Sequence, residues 1–351
     1  MCIYLGDGDN LTYNGQEHIF PASLGGIKML PKGYVSDKAN NDFSAIEGDI
    51  THNSLIAGGR MLYGPGKRGG DKPSEKPILI FSSNKDFSMG YVHLMKINII
   101  PHLYVKGTDV KICAGEENGE MFFSKFITDL KKFDGKYKLI THKNLSKDEF
   151  LIGYSRKHFY IGTGERYPPP DINAIKTIVN NIVSKALELE TDAAKSAVIS
   201  NPEFQWEFNL KREEILRIYA KTAMNLLASE MGEAYVRSSE FDTIRKFILG
   251  AYSLDKIKYS EYVEELGDIL KLPPPPKSHW CIIIPDQGEI CAIVSFYCLK
   301  PHCIVLGRDP AKQPNEKQNN MPIIRICDHK NKQEYNLLEW ISINRKQPEI
   351  S

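Results

Sequence analysis

Near the start of the 351-residue chain, Glu17-His18-Ile19-Phe20-Pro21 is followed by Leu24-Gly25-Gly26 and then by Ser36-Asp37-Lys38-Ala39-Asn40-Asn41-Asp42-Phe43. No other stretch constrains the fold as closely. Glu17 to Phe20 reads as a short strand that Pro21 and the glycine pair must end. From about Lys38 to Ile50, the apolar residues Ala39, Phe43, Ile46 and Ile50 recur with helical period. With Cys2 to Leu5 as a first short strand and Gly6 to Asn10 as a turn cluster, residues 1–55 read as a small ββα unit.

Behind this unit, residues 56–75 read as a glycine-rich basic linker. It contains Gly58-Gly59-Arg60 and Gly64-Pro65-Gly66-Lys67-Arg68-Gly69-Gly70. A connector is the plain reading. A loop that hugs a phosphate backbone, with Arg60, Lys67 and Arg68 as contacts, is the functional one. Residues 76–167 read as a mixed α+β region, with strands at Ile78–Phe81, His102–Val105, Val110–Cys113, Tyr137–Ile140, Phe150–Gly153 and His158–Ile161. One helix there spans Met121–Phe133. After Pro168-Pro169-Pro170, residues 171–351 are first helical and then rich in strands. The helices are Ile172–Leu189, Lys211–Met231 and Phe241–Ala251, and the second reads as a packing helix. The strands are His279–Ile284, Glu289–Tyr297, Cys303–Leu306 and Ile323–Cys327. The expected class is therefore α+β, in two or three domains.

Charge is balanced, with 45 basic against 44 acidic residues, so a nucleic-acid surface would have to be a local patch. No apolar run approaches the ~20 residues of a membrane span, and the N-terminal residues lack the basic and apolar regions of a signal peptide. The seven cysteines are odd in number and lie mostly in apolar, strand-like contexts. They fit reduced thiols in a cytoplasmic protein. A homo-oligomer is compatible with all of this.

The chemistry is concentrated at the N-terminal stretch. Hydrolysis of a phosphodiester needs a base to take a proton from water and positive charge to stabilise the oxygens. An acid-histidine pair and a second oxygen ligand from a packed helix are sufficient for that. Successive strand residues point to opposite faces, so Glu17 and His18 share one site only where the strand bends.

Glu17-His18-Ile-Phe-Pro21, Leu24-Gly25-Gly26 and Asn40-Asn41-x-Phe43-Ser44-x-x-Glu47 together resemble the HNH family of ββα-metal endonucleases. The closest branch carries Glu-His-Ile-x-Pro, Leu-Gly-Gly and Cys-x-x-Cys-Asn. The resemblance covers about the first 55 residues. It implies His18 as general base, Glu17 as acidic metal ligand and Asn40 as second ligand to one Mg²⁺ or Mn²⁺. Glu47, two helical turns after Asn40, would support the metal or orient His18; Asn41 and His52 are further candidates. The implied activity is metal-dependent cleavage of DNA, as in prokaryotic restriction or phage-defence nucleases, and the same residues would serve on RNA.

Many family members also hold a structural zinc on two Cys-x-x-Cys pairs. Here those positions are Cys2, Leu5, Ser36 and Ala39, and a single cysteine cannot hold tetrahedral zinc. No structural zinc is expected, with apolar packing of Leu5 and Ala39 in its place. A second reading follows from this loss: an HNH-derived module that binds nucleic acid or a partner without cutting.

Overall fold

The computed structural model describes residues 1–6, 10–64, 77–83, 86–93, 96–113, 119–155, 157–186, 203–204, 211–261, 274–310 and 322–345. Helices and several sheets are both present, so the class is α+β. The chain forms two compact units, one of residues 1–74 and 208–351, the other of residues 75–207. Residues 1–74 and 208–351, from the two ends of the sequence, thus share one unit. The N-terminal 55 residues have no core of their own, contrary to the boundaries expected from sequence.

In the first unit an antiparallel sheet runs β10-β13-β12-β11-β14-β15. Its strands are β10 (Tyr259–Glu261), β11 (His279–Asp286), β12 (Glu289–Ser295), β13 (His302–Arg308), β14 (Ile323–Asp328) and β15 (Gln333–Asn336). Alternation along β11 sends Cys281 and Ile283 to one face and Trp280 and Ile282 to the other. The second face is closed by Trp340 of helix α8 (Leu337–Arg345). The first face carries the main core. Against it pack helices α5 (Arg212–Met231), α6 (Glu233–Val236) and α7 (Asp242–Ile248) and the N-terminal segment.

Helix α1 (Asp37–Asn53) starts at Ser36, whose Oγ accepts the N–H of Ala39. Ser54 ends α1 and opens α2 (Leu55–Tyr63), accepting the N–H of Ile56. Helix α2 occupies residues read from sequence as linker. Gly59 explains the fit: a Cβ there would stand 2.5 Å from the Tyr297 ring, so only glycine lets the helix approach.

The second unit layers a four-stranded sheet, β3-β2-β1-β9, on a five-stranded sheet, β5-β4-β7-β8-β6. The strands are β1 (Leu79–Ser83), β2 (Asp86–His93), β3 (Lys96–Ile99), β4 (His102–Lys106), β5 (Asp109–Cys113), β6 (Lys138–His142), β7 (Glu149–Ser155), β8 (His158–Gly164) and β9 (Glu203–Phe204). Ile80, Phe87, Met89, Tyr104, Leu151 and Tyr160 fill the space between the sheets. The outer face of the larger sheet presents Leu103, Ile152, Phe159 and Ile161 to helices α3 (Gly119–Leu130) and α4 (Ile172–Ala186). Among the described residues, no helix is long and apolar enough to cross a membrane.

Candidate active site

The Glu17-His18 stretch is extended, but its partner is not Cys2 to Leu5. Cys2 instead closes a tight bridge to Gly6. The pairing is with residues 28–30: Ile19 donates its N–H to Lys28 O at 2.9 Å, Leu30 donates to Glu17 O at 2.8 Å, and His18 bridges Met29. The intervening turn explains the glycines. Gly25 adopts φ +92°, and a Cβ on Gly26 would stand 2.0 Å from the Phe20 carbonyl oxygen. The turn is docked on the sheet: His279 Nε2 lies 2.9 Å from Leu24 O, and the Glu334 carboxylate accepts the N–H groups of Ile27 and Lys28. At the other end, Asp37 accepts N–H bonds from Asn14 and Gly15. Bonds from the Thr12 hydroxyl and these two amides hold its carboxyl down at about 2.

Strand alternation separates the pair, as its geometry requires. Glu17 turns inward, only 5% exposed, whereas His18 is half-buried. Glu17 meets a residue that sequence reasoning passed over. Lys221, in the middle of α5 and 0% exposed, forms ion pairs with both Glu17 and Glu47. Its ammonium also lies 5.3 Å from the centroid of the Phe43 ring. One turn further along α5, Asn225 donates from Nδ2 to His18 O at 2.8 Å and accepts the Tyr4 hydroxyl at 2.6 Å. Helix α5 is therefore more than a packing helix: Lys221 and Asn225, spaced i and i+4, hold the Glu17-His18 backbone and side chain in place. The sequence signal was two polar residues interrupting the apolar face that includes Ile218, Tyr219, Leu226 and Leu227.

The electrostatics follow from this packing. Burial would lower the Lys221 pKa, but Glu17 and Glu47 reverse that and raise it, so the ammonium persists. Burial, with Glu47 as a like charge, raises Glu17 despite Lys221. Burial first, then the Lys221 charge, lowers His18, while Glu47 opposes. Its imidazole is held neutral, the form a general base needs. Among the described residues the ring makes no hydrogen bond.

Of the residues expected at the site, Glu17 and Glu47 meet on Lys221, and His18 adjoins them through its backbone, which Asn225 holds. Asn40, in the first turn of α1, places Nδ2 3.5 Å from Gln16 O, beside the strand rather than on the carboxylates. Asn41 is exposed, and His52 turns its Nδ1 to Gly48 O within α1. Arg60 is not a phosphate contact. It sits on α2, is 4% exposed and lies 3.4 Å from Thr51 O through Nη1. Lys67 and Arg68 fall outside the described residues.

The fit to a divalent cation can be tested on the donors. Both carboxylates are already neutralised by Lys221, and Asn40 faces a backbone carbonyl. As arranged, Glu17, Glu47 and Asn40 do not form a cation site, because an ion would have to displace a buried ammonium. Among the described residues, no group of three or more His, Cys, Asp or Glu side chains has metal-binding geometry.

Cys2, Leu5, Ser36 and Ala39 lie close together at the start of α1. Cys2 Sγ lies 3.4 Å from both Leu5 N and Ser36 Oγ, and Ser36 Oγ in turn accepts from Ala39 N. Cys2 and Ala39 belong to the main core, and Leu5 packs against it. Comparisons with family models, curated proteins and solved structures returned no match.

Proposed function

We propose that the chain is an HNH-type nuclease that hydrolyses nucleic-acid phosphodiesters with His18 as general base. One observation carries the reading: a neutral, half-exposed imidazole with no hydrogen bond to the described residues, on backbone fixed by Asn225 and by the pairing with residues 28–30. Further support comes from Cys2, Leu5, Ser36 and Ala39 meeting in space. Separated in sequence, they come together at the start of α1, an arrangement that favours this reading. In the reaction, His18 takes a proton from water as its oxygen attacks phosphorus. The P–O bond to the leaving sugar oxygen breaks, and that oxygen takes a proton from solvent water. Lys221 is buried and does not reach substrate. It holds Glu17 and Glu47 and keeps a positive charge behind the imidazole, which favours the neutral base.

A second reading is the binding module without cleavage. It is favoured by the commitment of Glu17 and Glu47 to Lys221 rather than to a divalent ion. A single experiment separates the two. Wild type and His18→Ala are incubated with plasmid DNA, single-stranded DNA and RNA, with Mg²⁺, with Mn²⁺ and with EDTA. Cleavage by wild type that His18→Ala lacks, at unchanged melting temperature, is the expected result. Equal cleavage by the two overturns the role of His18, and no cleavage by wild type under any condition leaves the binding module.

A further inference from the structure

In the second unit, the segment joining α3 to β6 and the turn joining β7 to β8 face each other across a cleft. It has a volume of about 410 Å³ and is lined by Lys132, Lys136, Lys138 and Lys157 with Tyr137 and Tyr154. That volume falls in the usual range of about 300–1,000 Å³ for ligand-binding clefts. Among the described residues, Asp134 is the one acidic residue that lines it, and His158 and Phe159 line it too. Lys132 is paired with Asp129 at 2.7 Å, and Lys136 lies 3.6 Å from Asp134. Lys138 and Lys157 have no acidic partner among the described residues. Lys138 Nζ sits 5.9 Å from the Tyr160 ring centroid, and Lys157 is held at φ +67° in the β7–β8 turn. The aromatic side is fixed from beneath: Tyr154 packs on Phe159 at 4.7 Å, and Phe159 on Phe133 at 5.0 Å.

We infer that this cleft is a binding site for single-stranded nucleic acid. Lysines in excess over acids would follow a phosphate backbone, and tyrosines in the same cleft offer faces on which unstacked bases rest. A cleft of about 410 Å³ offers room for unstacked bases beside the backbone. The chain as a whole is nearly neutral, so a local cluster of this kind is what nucleic-acid binding requires here. The plain rival is that these lysines guard β6, an edge strand, against pairing with other chains.

The site stands apart from the reaction assigned to His18, and its test avoids cleavage. Fluorescence anisotropy is measured on full-length His18→Ala protein in EDTA, with labelled single-stranded DNA, single-stranded RNA and the matching duplex, over a salt series. Tighter binding of one or both single strands than of duplex is expected. Adding Lys138→Ala and Lys157→Ala should weaken it about tenfold and reduce the salt slope by about 1.4, from roughly 0.7 per lost single-strand phosphate contact. Lys256→Ala with Lys330→Ala removes the same charge from the first unit and should change neither. Unchanged binding in the Lys138/Lys157 variant, equal loss in the Lys256/Lys330 variant, preference for duplex, or absence of binding at low salt each overturns the proposal. Circular dichroism melting of every variant confirms that the fold is kept.

Discussion

Lys221 decides what Glu17 and Glu47 can do. A buried ammonium between two carboxylates is stable only as a set, because each charge left alone in the interior is costly. Lys221→Met should therefore lower stability by about 3–5 kcal/mol in urea unfolding, since it leaves two carboxylates without their cation. Lys221→Met combined with Glu17→Gln and Glu47→Gln should recover most of that loss. A single variant as stable as wild type would show that the ion pairs form no such set. The sequence displayed Glu17, His18 and Glu47 through their motif, but not Lys221, which is over 170 positions from Glu47. Its role depends on α5 packing against α1, a long-range contact that no local period encodes. Arg60 shows the reverse error: a basic residue among glycines read as surface, whereas the glycine beside it lets its helix pack inward.

Elements were legible where their periodicity was clean. The helix from Lys38 and the helices containing Ile215 and Ile175 match their apolar spacing, and the β4, β7, β8, β11 and β12 strands match their β-branched and aromatic runs. Helix α2 was hidden because Gly58 and Gly59 are poor helix formers. They are tolerated because tertiary packing against Tyr297 outweighs propensity. Strand β2 was hidden because Ser88 and Gly90 dilute the alternation of Phe87, Met89 and Tyr91. The partner of the Glu17 strand, residues 28–30, was too short to give a pattern and is fixed by the turn at Gly25-Gly26. Gly59→Ala tests the balance on α2. Propensity alone would stabilise the helix by about 1 kcal/mol, but the new methyl would press on the Tyr297 ring, and overpacking costs about 1–3 kcal/mol. A net fall in melting temperature is expected; a rise would mean that the ring moves aside freely.

Across the whole molecule, the sequence order and the spatial order disagree. The N-terminal stretch reads as a free-standing module, yet its core is completed by α5 and the β11–β14 sheet, beyond the unit inserted between them. Each unit also buries histidine in neutral form. Burial lowers His102 in the second unit to about 4, against opposing hydrogen bonds from its ring to the Ile100 and Phe87 backbone. In the first unit, burial and then the His329 neighbour push His279 well below its ordinary value. Its Nδ1 accepts the Tyr297 N–H at 3.0 Å while Nε2 faces the Leu24 carbonyl, so a second ring proton would confront a donor. The sign is fixed by the lowered folded pKa. The unfolded chain takes up these protons first, near pH 6.5, so stability is present above that value and falls as the pH drops toward about 4. For His102 alone the loss is on the order of 3 kcal/mol over that window. Urea midpoints measured from pH 8 to pH 4 should fall mainly below about pH 6.5, and His102→Gln should flatten part of the decline. A midpoint constant down to pH 4.5 would show that these histidines are not held neutral, and with them would go the electrostatic basis for a neutral His18.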